Sequence, residues 1–374
     1  MDQRRRWVTP GIDLPPAMPR FGTKMDQTME HAKPIADAQL SGAIGHSTAG
    51  GPSADWLVRY PVLRNTRGVL VTGSHRSGTT WVGRMLAAAP RLEYIHEPFK
   101  PGWVLPYTFT RSEIWFPYIA GHNGGEWERP VRKTLTFDYD WSFTYRDNPG
   151  LMQAWKATSR WVRWTSRKVR GHRPLIKDPI AFFATPWLAD RFGLDVVMMV
   201  RHPAAFCSSI KLKNWVFDWT QWTGQEELMA GPLAPFAADI ARSARRPDED
   251  IIDQAILQWR VFHHVIDVYR KHRPDWLYVR HEDLSLDPIA GYRRMYEHCK
   301  LDWTPHAERT IRESSAEGNL KDAAVAGKST HYVQLDSASN IRNWQKRLSA
   351  EEIRRIRTGT EDVGHKFYTD ADWA

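Results

Sequence analysis

The stretch TGSHRSGTTW, from Thr72 to Trp81, constrains the fold of this chain more than any other. It follows an apolar run at residues 68–71, which predicts a buried strand, and it leads into spaced apolar residues at 81–86, which predict a helix. A strand, a loop bounded by glycines and a helix form a phosphate-binding turn, because the N–H groups at the helix start point toward an anion. The sequence therefore predicts an α/β fold built around such a turn.

This loop differs from the loops that bind nucleoside triphosphates. In those loops a lysine follows the second glycine. Here Thr79 follows Gly78, and the nearest cation is Arg76, inside the loop. We therefore expect a phosphorylated ligand other than ATP or GTP.

The loop resembles the 5′-phosphosulfate loop of sulfotransferases that use 3′-phosphoadenosine 5′-phosphosulfate (PAPS). The residues that carry this resemblance are Arg76, Ser77, Gly78, Thr79, Thr80 and Trp81. The resemblance implies that they bind PAPS as the donor and that adenosine 3′,5′-bisphosphate (PAP) is the product. It also implies in-line transfer of a sulfuryl group to an acceptor hydroxyl, with no metal ion.

A second motif lies about a hundred residues later in the sequence. The run from Asp195 to Val200 predicts a strand buried in a parallel sheet, and Pro203 is placed to begin a helix. Ligands of open α/β sheets bind at the carboxyl ends of the strands. In the family that the loop resembles, an arginine and a serine eight residues later hold the 3′-phosphate of the donor. Arg201 and Ser209 have that spacing.

A third stretch, from Asn343 to Ile356, resembles the C-terminal part of sulfotransferases. Ser349 and Glu352 form the pattern of a capping box, which predicts a helix start. In the family, the loop before this stretch closes over the donor, although the familiar Arg-Lys-Gly triplet is absent here. The candidates for donor contacts in this loop are Ser337, Ser339 and Arg342.

The remaining pattern alternates strands with helices. Further strands are predicted at residues 92–95, 174–176 and 276–279, and helices at 152–170 and 250–272. This alternation predicts a central parallel β-sheet flanked by helices. The resemblance implies the P-loop NTPase-like sulfotransferase fold, with helical insertions on the substrate side.

The domain organisation follows from composition. Residues 1–54 are rich in Pro, Gly, Ser and Ala and have no hydrophobic periodicity, so we expect a flexible N-terminal segment. Residues 55–374 are expected to form a single sulfotransferase domain, with insertions at about 100–170 and 215–248.

The base that accepts the acceptor proton is predicted to be Glu97, just after the second strand. Carbohydrate and protein-tyrosine sulfotransferases have a glutamate at a comparable point, whereas cytosolic small-molecule enzymes use a later histidine. Here the later point contains Lys177 followed by an aspartate, so the chain resembles the former type more closely. Glu97 would need desolvation to raise its pKa toward neutrality. His96 is the alternative base, and Lys177 is a candidate second cation at the reaction centre.

Composition limits the possible ligands and location. The net charge of +9 fits an anionic ligand. Two cysteines cannot build a disulfide framework, and no apolar run reaches transmembrane length, so we expect a cytoplasmic protein. The histidines are scattered without the spacing of metal ligands, so no metal site is expected. Tryptophans concentrated between Trp103 and Trp164 mark a candidate substrate module for a glycan or glycoconjugate acceptor.

Two alternatives remain open at the level of sequence. One is a P-loop kinase acting on small molecules, which the missing lysine disfavours. The other is a non-catalytic protein that binds glycans or nucleic acid through its basic charge and tryptophans. Because that alternative leaves the spacing of the two phosphate motifs unexplained, we expect no nucleic-acid partner.

Overall fold

The computed structural model describes residues 54–101, 114–139, 150–246, 248–317, 319 and 336–374. The predicted N-terminal segment, apart from residue 54, and Trp103 and Trp141 of the predicted substrate module lie outside the described residues. The domain boundary near residue 54 therefore stays a prediction.

Five parallel strands form the central sheet. The strands are β1 (Val69–Gly73), β2 (Leu92–His96), β3 (Arg173–Lys177), β4 (Asp195–Val200) and β5 (Leu277–Arg280). Their spatial order is β2-β3-β1-β4-β5, and every neighbouring pair is parallel. The predicted fold class, a parallel sheet flanked by helices, is confirmed, and each predicted strand is present within two residues of its expected bounds.

Fifteen α-helices lie among the described residues. They are α1 (Thr79–Leu86), α2 (Gly125–Leu135), α3 (Leu151–Val169), α4 (Thr185–Phe192), α5 (Pro203–Lys213), α6 (Thr220–Thr223), α7 (Glu226–Ala230), α8 (Ala237–Ala244), α9 (Ile251–His272), α10 (His281–Leu286), α11 (Pro288–His298), α12 (Pro305–Ser315), α13 (Ser337–Asn340), α14 (Trp344–Arg347) and α15 (Ala350–Gly364).

Two apolar layers cover the sheet, one on each face. Residues of β1 alternate between them: Leu70 belongs to one cluster, and Val69 and Val71 belong to the other. The first layer contains α9, and the second contains α1, α11 and α12. Because both faces are covered, the central strands β1 and β4 are mostly apolar and buried, as expected for a parallel sheet.

Local sequence signals set several helix starts. The Ser349 hydroxyl accepts from the Glu352 amide while the Glu352 carboxylate accepts from the Ser349 amide, so the predicted capping box is present at α15. Asp287 caps α11 by accepting from the Ala290 amide. These caps fix the chain on either side of the sheet edge where the motifs lie.

The position of β1 in the middle of the sheet determines where the site lies. β3 and β4 flank β1, so the loop after β1 lies between the carboxyl ends of both neighbours. Gly73, the last residue of β1, has φ +141°, and a Cβ there would lie 2.5 Å from the Met199 carbonyl oxygen of β4. A glycine is therefore required for the chain to leave the sheet at this point.

Candidate active site

The loop between β1 and α1 is closed by its own hydrogen bonds. The amide and the hydroxyl of Ser77 both donate to the Ser74 carbonyl, at 3.3 and 2.5 Å. Gly78 has φ +90°, and a Cβ there would lie 2.4 Å from Cδ2 of His281. Gly78 begins α1, whose first-turn N–H groups, including those of Thr79 and Thr80, have no carbonyl partner within the helix. This is the geometry of an anion site at a helix N-terminus.

Arg76 connects the first sequence motif to the second. Its Nε donates to the Ser209 hydroxyl oxygen at 2.8 Å, although the two residues are 133 positions apart in the chain. Arg76 has φ +64°, a conformation that a non-glycine residue rarely adopts and that turns its side chain away from the loop. The residue before it, His75, is buried among aromatic rings and has a pKa lowered by burial to about 3, so it is neutral.

Arg201 follows β4 and is held by Glu282. Its Nε lies 3.6 Å from a Glu282 carboxylate oxygen, and its side chain is only 13% exposed. Glu282 also accepts hydrogen bonds from the His202 amide at 3.1 Å and the Tyr368 hydroxyl at 3.0 Å. Among the described residues, Nε of Arg201 has no hydrogen-bond partner. This Nε is buried and faces Glu282, so any further anion would be bound through the other nitrogens of the guanidinium.

A third arginine, Arg347 at the end of α14, lies close to the first two. Burial lowers the pKa of the Arg76 guanidinium, and the positive charges of Arg201 and Arg347 lower it further. Burial likewise lowers the pKa of Arg201, partly offset by Glu282, and Arg347 lowers it further. The charge of Arg347 thus acts on both Arg76 and Arg201, and a cluster of guanidinium groups of this kind would fit a ligand with more than one phosphate. Sequence analysis did not identify Arg347 as a site residue. The only nearby signal in the sequence is the capping box of α15, which begins two residues later at Ser349.

Two of the predicted donor residues near the C-terminus, Ser337 and Ser339, lie at a cavity, and Arg342 is not among the residues that line it. Ser337 is buried, and its hydroxyl donates to the Ser285 carbonyl at 2.8 Å. The Ser339 hydroxyl donates to Asp336 at 2.7 Å. Both serines line a cavity of about 420 Å³ together with Arg312. Arg347, rather than the predicted Arg342, is the charge of this segment that shifts the pKa of Arg76 and Arg201.

Trp81 is the last residue of the stretch that resembles the phosphosulfate loop, and it joins α1 to α12. Its indole Nε1 donates to the Ser314 hydroxyl at 3.1 Å, and its ring packs against His281 and Tyr292. His281 is the same residue that a side chain at Gly78 would hit. Trp81 and Gly78 therefore both lie next to His281, and the Trp81 ring is partly buried there.

The predicted base lies on the opposite side of β1, where β2 and β3 end. His96 and Lys177 are in register at the last positions of these strands, and the Glu97 amide donates to the Lys177 carbonyl at 2.9 Å. Glu97 has φ +44°, so the chain turns sharply there. Its carboxylate forms an ion pair with the ammonium group of Lys177, whose side chain is fully buried. Its second oxygen lies 3.8 Å from Nε2 of His96.

The pKa of Glu97 differs from the expectation based on sequence. Burial alone would raise the pKa of Glu97, but the charge of Lys177 and the hydrogen bond from it hold that pKa below its usual value. The expectation of a raised pKa is therefore wrong for this arrangement, because sequence alone did not place Lys177 in contact with Glu97. Burial and the charge of Lys177 lower the pKa of His96 to about 4. At neutral pH Glu97 is ionised and His96 is neutral.

Asp178 is a further acidic residue that the sequence interpretation did not single out. Its two carboxylate oxygens accept hydrogen bonds from the amides of Phe99 and Ile180, both at 2.8 Å. It thereby joins the segment after Glu97 to the segment after β3. Burial and the charge of Glu97 raise the pKa of Asp178 to about 7, against the lowering effect of the two amides and Lys177.

The tryptophans of the predicted substrate module divide into two groups. Trp127 and Trp164 are core residues, with 9% and 1% of their surface exposed. Trp155 and Trp161 are exposed on α3. Beyond the module, Trp215 is 37% exposed and packs edge-on against His75, next to Arg76. An aromatic ring thus borders the phosphate loop. Sequence analysis could not single out Trp215, because the chain contains 19 tryptophans.

Two further findings concern metals and membranes. No group of three or more potential metal ligands occurs among the residues that the structure describes. Within those same residues, no helix combines the length and the apolar character needed to cross a membrane.

Comparison with known proteins adds three structural likenesses and one family match. A family model described as "Sulfotransferase family" matches residues 68–305. The sulfotransferase domain of the Synechococcus PCC 7002 olefin synthase is 14% identical, with 83% of this chain and 96% of that chain covered and a TM-score of 0.42. The sulfotransferase domain from the curacin biosynthetic pathway is 13% identical, with coverages of 81% and 99% and a TM-score of 0.42.

A sulfotransferase from Mycobacterium tuberculosis is 16% identical, with coverages of 80% and 78% and a TM-score of 0.34. No curated protein matches the sequence of the chain.

Proposed function

The chain belongs to the sulfotransferase family, and from this premise we propose that it transfers a sulfuryl group from PAPS to a hydroxyl of a carbohydrate or glycoconjugate. The observation that carries the proposal is the hydrogen bond from Arg76 to Ser209, which brings the two phosphate motifs into contact. The proposed donor crevice runs along the carboxyl ends of the strands at this contact. The family implies PAPS as the donor and PAP as the product.

The donor fits the cations at this crevice. When bound, PAPS supplies an activated sulfuryl group on a 5′-phosphate and a separate 3′-phosphate. Arg76 and the first-turn amides of α1 would hold the 5′ side, and Arg201 and Ser209 the 3′-phosphate. The contact between Arg76 and Ser209, and the charge of Arg347 acting on both Arg76 and Arg201, support this assignment. Charge stabilisation by such pre-placed donors is the main contribution expected for this type of transfer.

Glu97 is the proposed general base. It takes the proton of the acceptor hydroxyl as that oxygen forms its bond to sulfur and the bond from sulfur to the phosphate oxygen breaks. The Lys177 charge keeps Glu97 ionised at neutral pH, so its carboxylate is free of a proton. The same charge lowers its proton affinity, so this base depends on its position beside the acceptor rather than on a pKa near neutrality. His96, which is neutral and 3.8 Å away, is the competing candidate. Lys177 is in position to orient Glu97 from behind, since its side chain is buried.

The acceptor class rests on two supports. A glutamate after β2, with no histidine after β3, follows the carbohydrate and protein-tyrosine pattern. The exposed ring of Trp215 beside His75 offers a flat apolar surface of the kind on which a sugar ring packs. Both supports favour a sugar hydroxyl as the group that approaches Glu97.

A thermal-shift titration with PAP, and with ATP in the presence of magnesium, tests the donor. We expect PAP to raise the melting temperature without magnesium and ATP to have a smaller effect. A larger, magnesium-dependent shift with ATP would contradict the proposal. Incubation with PAPS and a panel of glycans, followed by mass spectrometry, then tests the acceptor, with sulfated glycan as the expected product.

A further inference from the structure

Helix α3 presents an exposed apolar stripe to solvent. Leu151, Trp155, Val162 and Val169 are 94%, 68%, 53% and 81% exposed. The last three recur every seven residues, and Leu151 precedes the first by four, so all four lie on one side of the helix. At 1.5 Å per residue the stripe is about 27 Å long. Thr158 lies between Trp155 and Val162 on the same side. Four exposed apolar side chains along one side of a helix are unusual in a protein that acts alone in water.

A basic stripe runs beside the apolar one. Lys156, Arg163 and Arg170 each directly follow a member of the apolar stripe, and they share its seven-residue spacing. One residue corresponds to a rotation of about 100° around the helix, so the two stripes are adjacent. All three residues are exposed. From residue 151 to residue 170 there is no aspartate or glutamate.

The opposite side of α3 attaches the helix to the protein. Ala157 and Trp164 are its buried residues, and the Trp164 ring packs against Phe137 and Tyr139. Arg167 and Lys168 form ion pairs with Glu93 and Asp138. The charges used for attachment are therefore distinct from those of the basic stripe, and the outer side is not required for docking α3 onto the domain.

From these observations we infer that the outer side of α3 binds an anionic membrane surface, lying along it. Adjacent apolar and basic stripes on one helix, with an exposed tryptophan, are the features by which helices lie in the headgroup region of a bilayer. α3 is not among helices able to span a bilayer. A second copy of the chain is a poor occupant, because pairing through this side brings together two helices that carry only positive charge. The inference does not depend on the proposed sulfuryl transfer.

Vesicle co-sedimentation of the full chain tests this inference. The probes are vesicles of phosphatidylcholine alone and of equimolar phosphatidylcholine and phosphatidylglycerol. We expect sedimentation with the anionic vesicles, weakened by added salt, and little with the neutral ones. A triple variant of the basic stripe (Lys156→Gln, Arg163→Gln, Arg170→Gln) is expected to bind the anionic vesicles on the order of 100-fold more weakly.

A second triple variant (Trp155→Ser, Val162→Ser, Val169→Ser) removes three of the four residues of the apolar stripe and is expected to lose most of the binding while PAP affinity stays unchanged. The matched control (Arg245→Gln, Arg294→Gln, Arg309→Gln) removes three charges from exposed positions elsewhere and is expected to bind like the wild type. Equal loss in the control, no binding of the wild type, or a dimer that the apolar variant abolishes would each overturn the inference. Unchanged circular dichroism in both triple variants confirms that they are folded.

Discussion

The two ends of the crevice are built as electrostatic opposites. At the carboxyl ends of β4 and β5, a buried carboxylate, Glu282, holds a cation, Arg201, toward the crevice. At the carboxyl ends of β2 and β3, a buried cation, Lys177, holds a carboxylate, Glu97. The two pairs therefore place opposite charges along the same sheet edge. In the proposed function, this edge would bind an anion on one side of β1 and accept a proton on the other.

The largest effect is expected from replacing the Glu97 carboxylate, at the end of the sheet edge where β2 and β3 end. Glu97→Gln keeps the size of the side chain but removes its ability to accept a proton. Turnover is expected to fall by about 10²–10⁴-fold, while PAP affinity changes by no more than about twofold. Steady-state kinetics with PAPS and calorimetric titration with PAP measure the two quantities.

His96→Gln is the matched control, because His96 lies beside Glu97 and is the other candidate base. It is expected to retain most of the turnover. If His96→Gln loses turnover and Glu97→Gln does not, His96 rather than Glu97 is the base, and the proposed role of Glu97 is wrong.

A backbone change tests the phosphate end without altering any charge. Gly78→Ala places a Cβ at φ +90° and 2.4 Å from His281, so we expect it to destabilise the protein by about 1–3 kcal/mol and to weaken PAP binding. Gly125→Ala is the control, since a Cβ there meets nothing within 4 Å. Thermal unfolding and PAP titration of both variants distinguish local strain at the loop from a general effect. A Gly78→Ala protein with wild-type stability and PAP affinity would contradict the described loop geometry.

A further predicted effect concerns pH and the base end alone. The pKa of Asp178 is raised from 3.8 to about 7 in the folded protein, so between these values the folded state holds a proton that the unfolded state has lost. This residue therefore makes the free energy of unfolding fall as pH rises from about 4 to about 7, by about 1 kcal/mol per pH unit. Neutral buried histidines such as His75 act in the opposite direction, so only a difference is informative.

Urea unfolding of wild type and Asp178→Asn across this range isolates the contribution. The stability of the variant relative to wild type is expected to increase with pH between about 4 and 7, whatever its absolute loss. A difference that does not change with pH would show that Asp178 is ionised throughout, held by the amides of Phe99 and Ile180.

The sequence predicted the parts of this site that depend on neighbouring residues in the chain. The strand–loop–helix around Arg76, the strand end at Arg201 and the capping box at Ser349 are all local patterns, and all three are present. The fold class followed from their alternation.

The parts that were missed depend on contacts between distant residues. Lys177 contacts Glu97 only because β2 and β3 are in register, 80 positions apart, and this contact reverses the direction of the Glu97 pKa shift. Arg347 approaches Arg76 only once α14 has docked. Which tryptophans are core residues and which are exposed likewise depends on packing, as Trp164 and Trp155 on the same helix show.

The central claim is that Arg76 and Arg201 bind opposite ends of one doubly phosphorylated adenosine. Calorimetric titration of wild type and Arg201→Gln with PAP and with adenosine 5′-monophosphate tests it most directly, because the second ligand lacks the 3′-phosphate. The account predicts that Arg201→Gln weakens PAP binding by about 30-fold or more and leaves the affinity for the monophosphate nearly unchanged. Equal weakening of both ligands, or of neither, would contradict it.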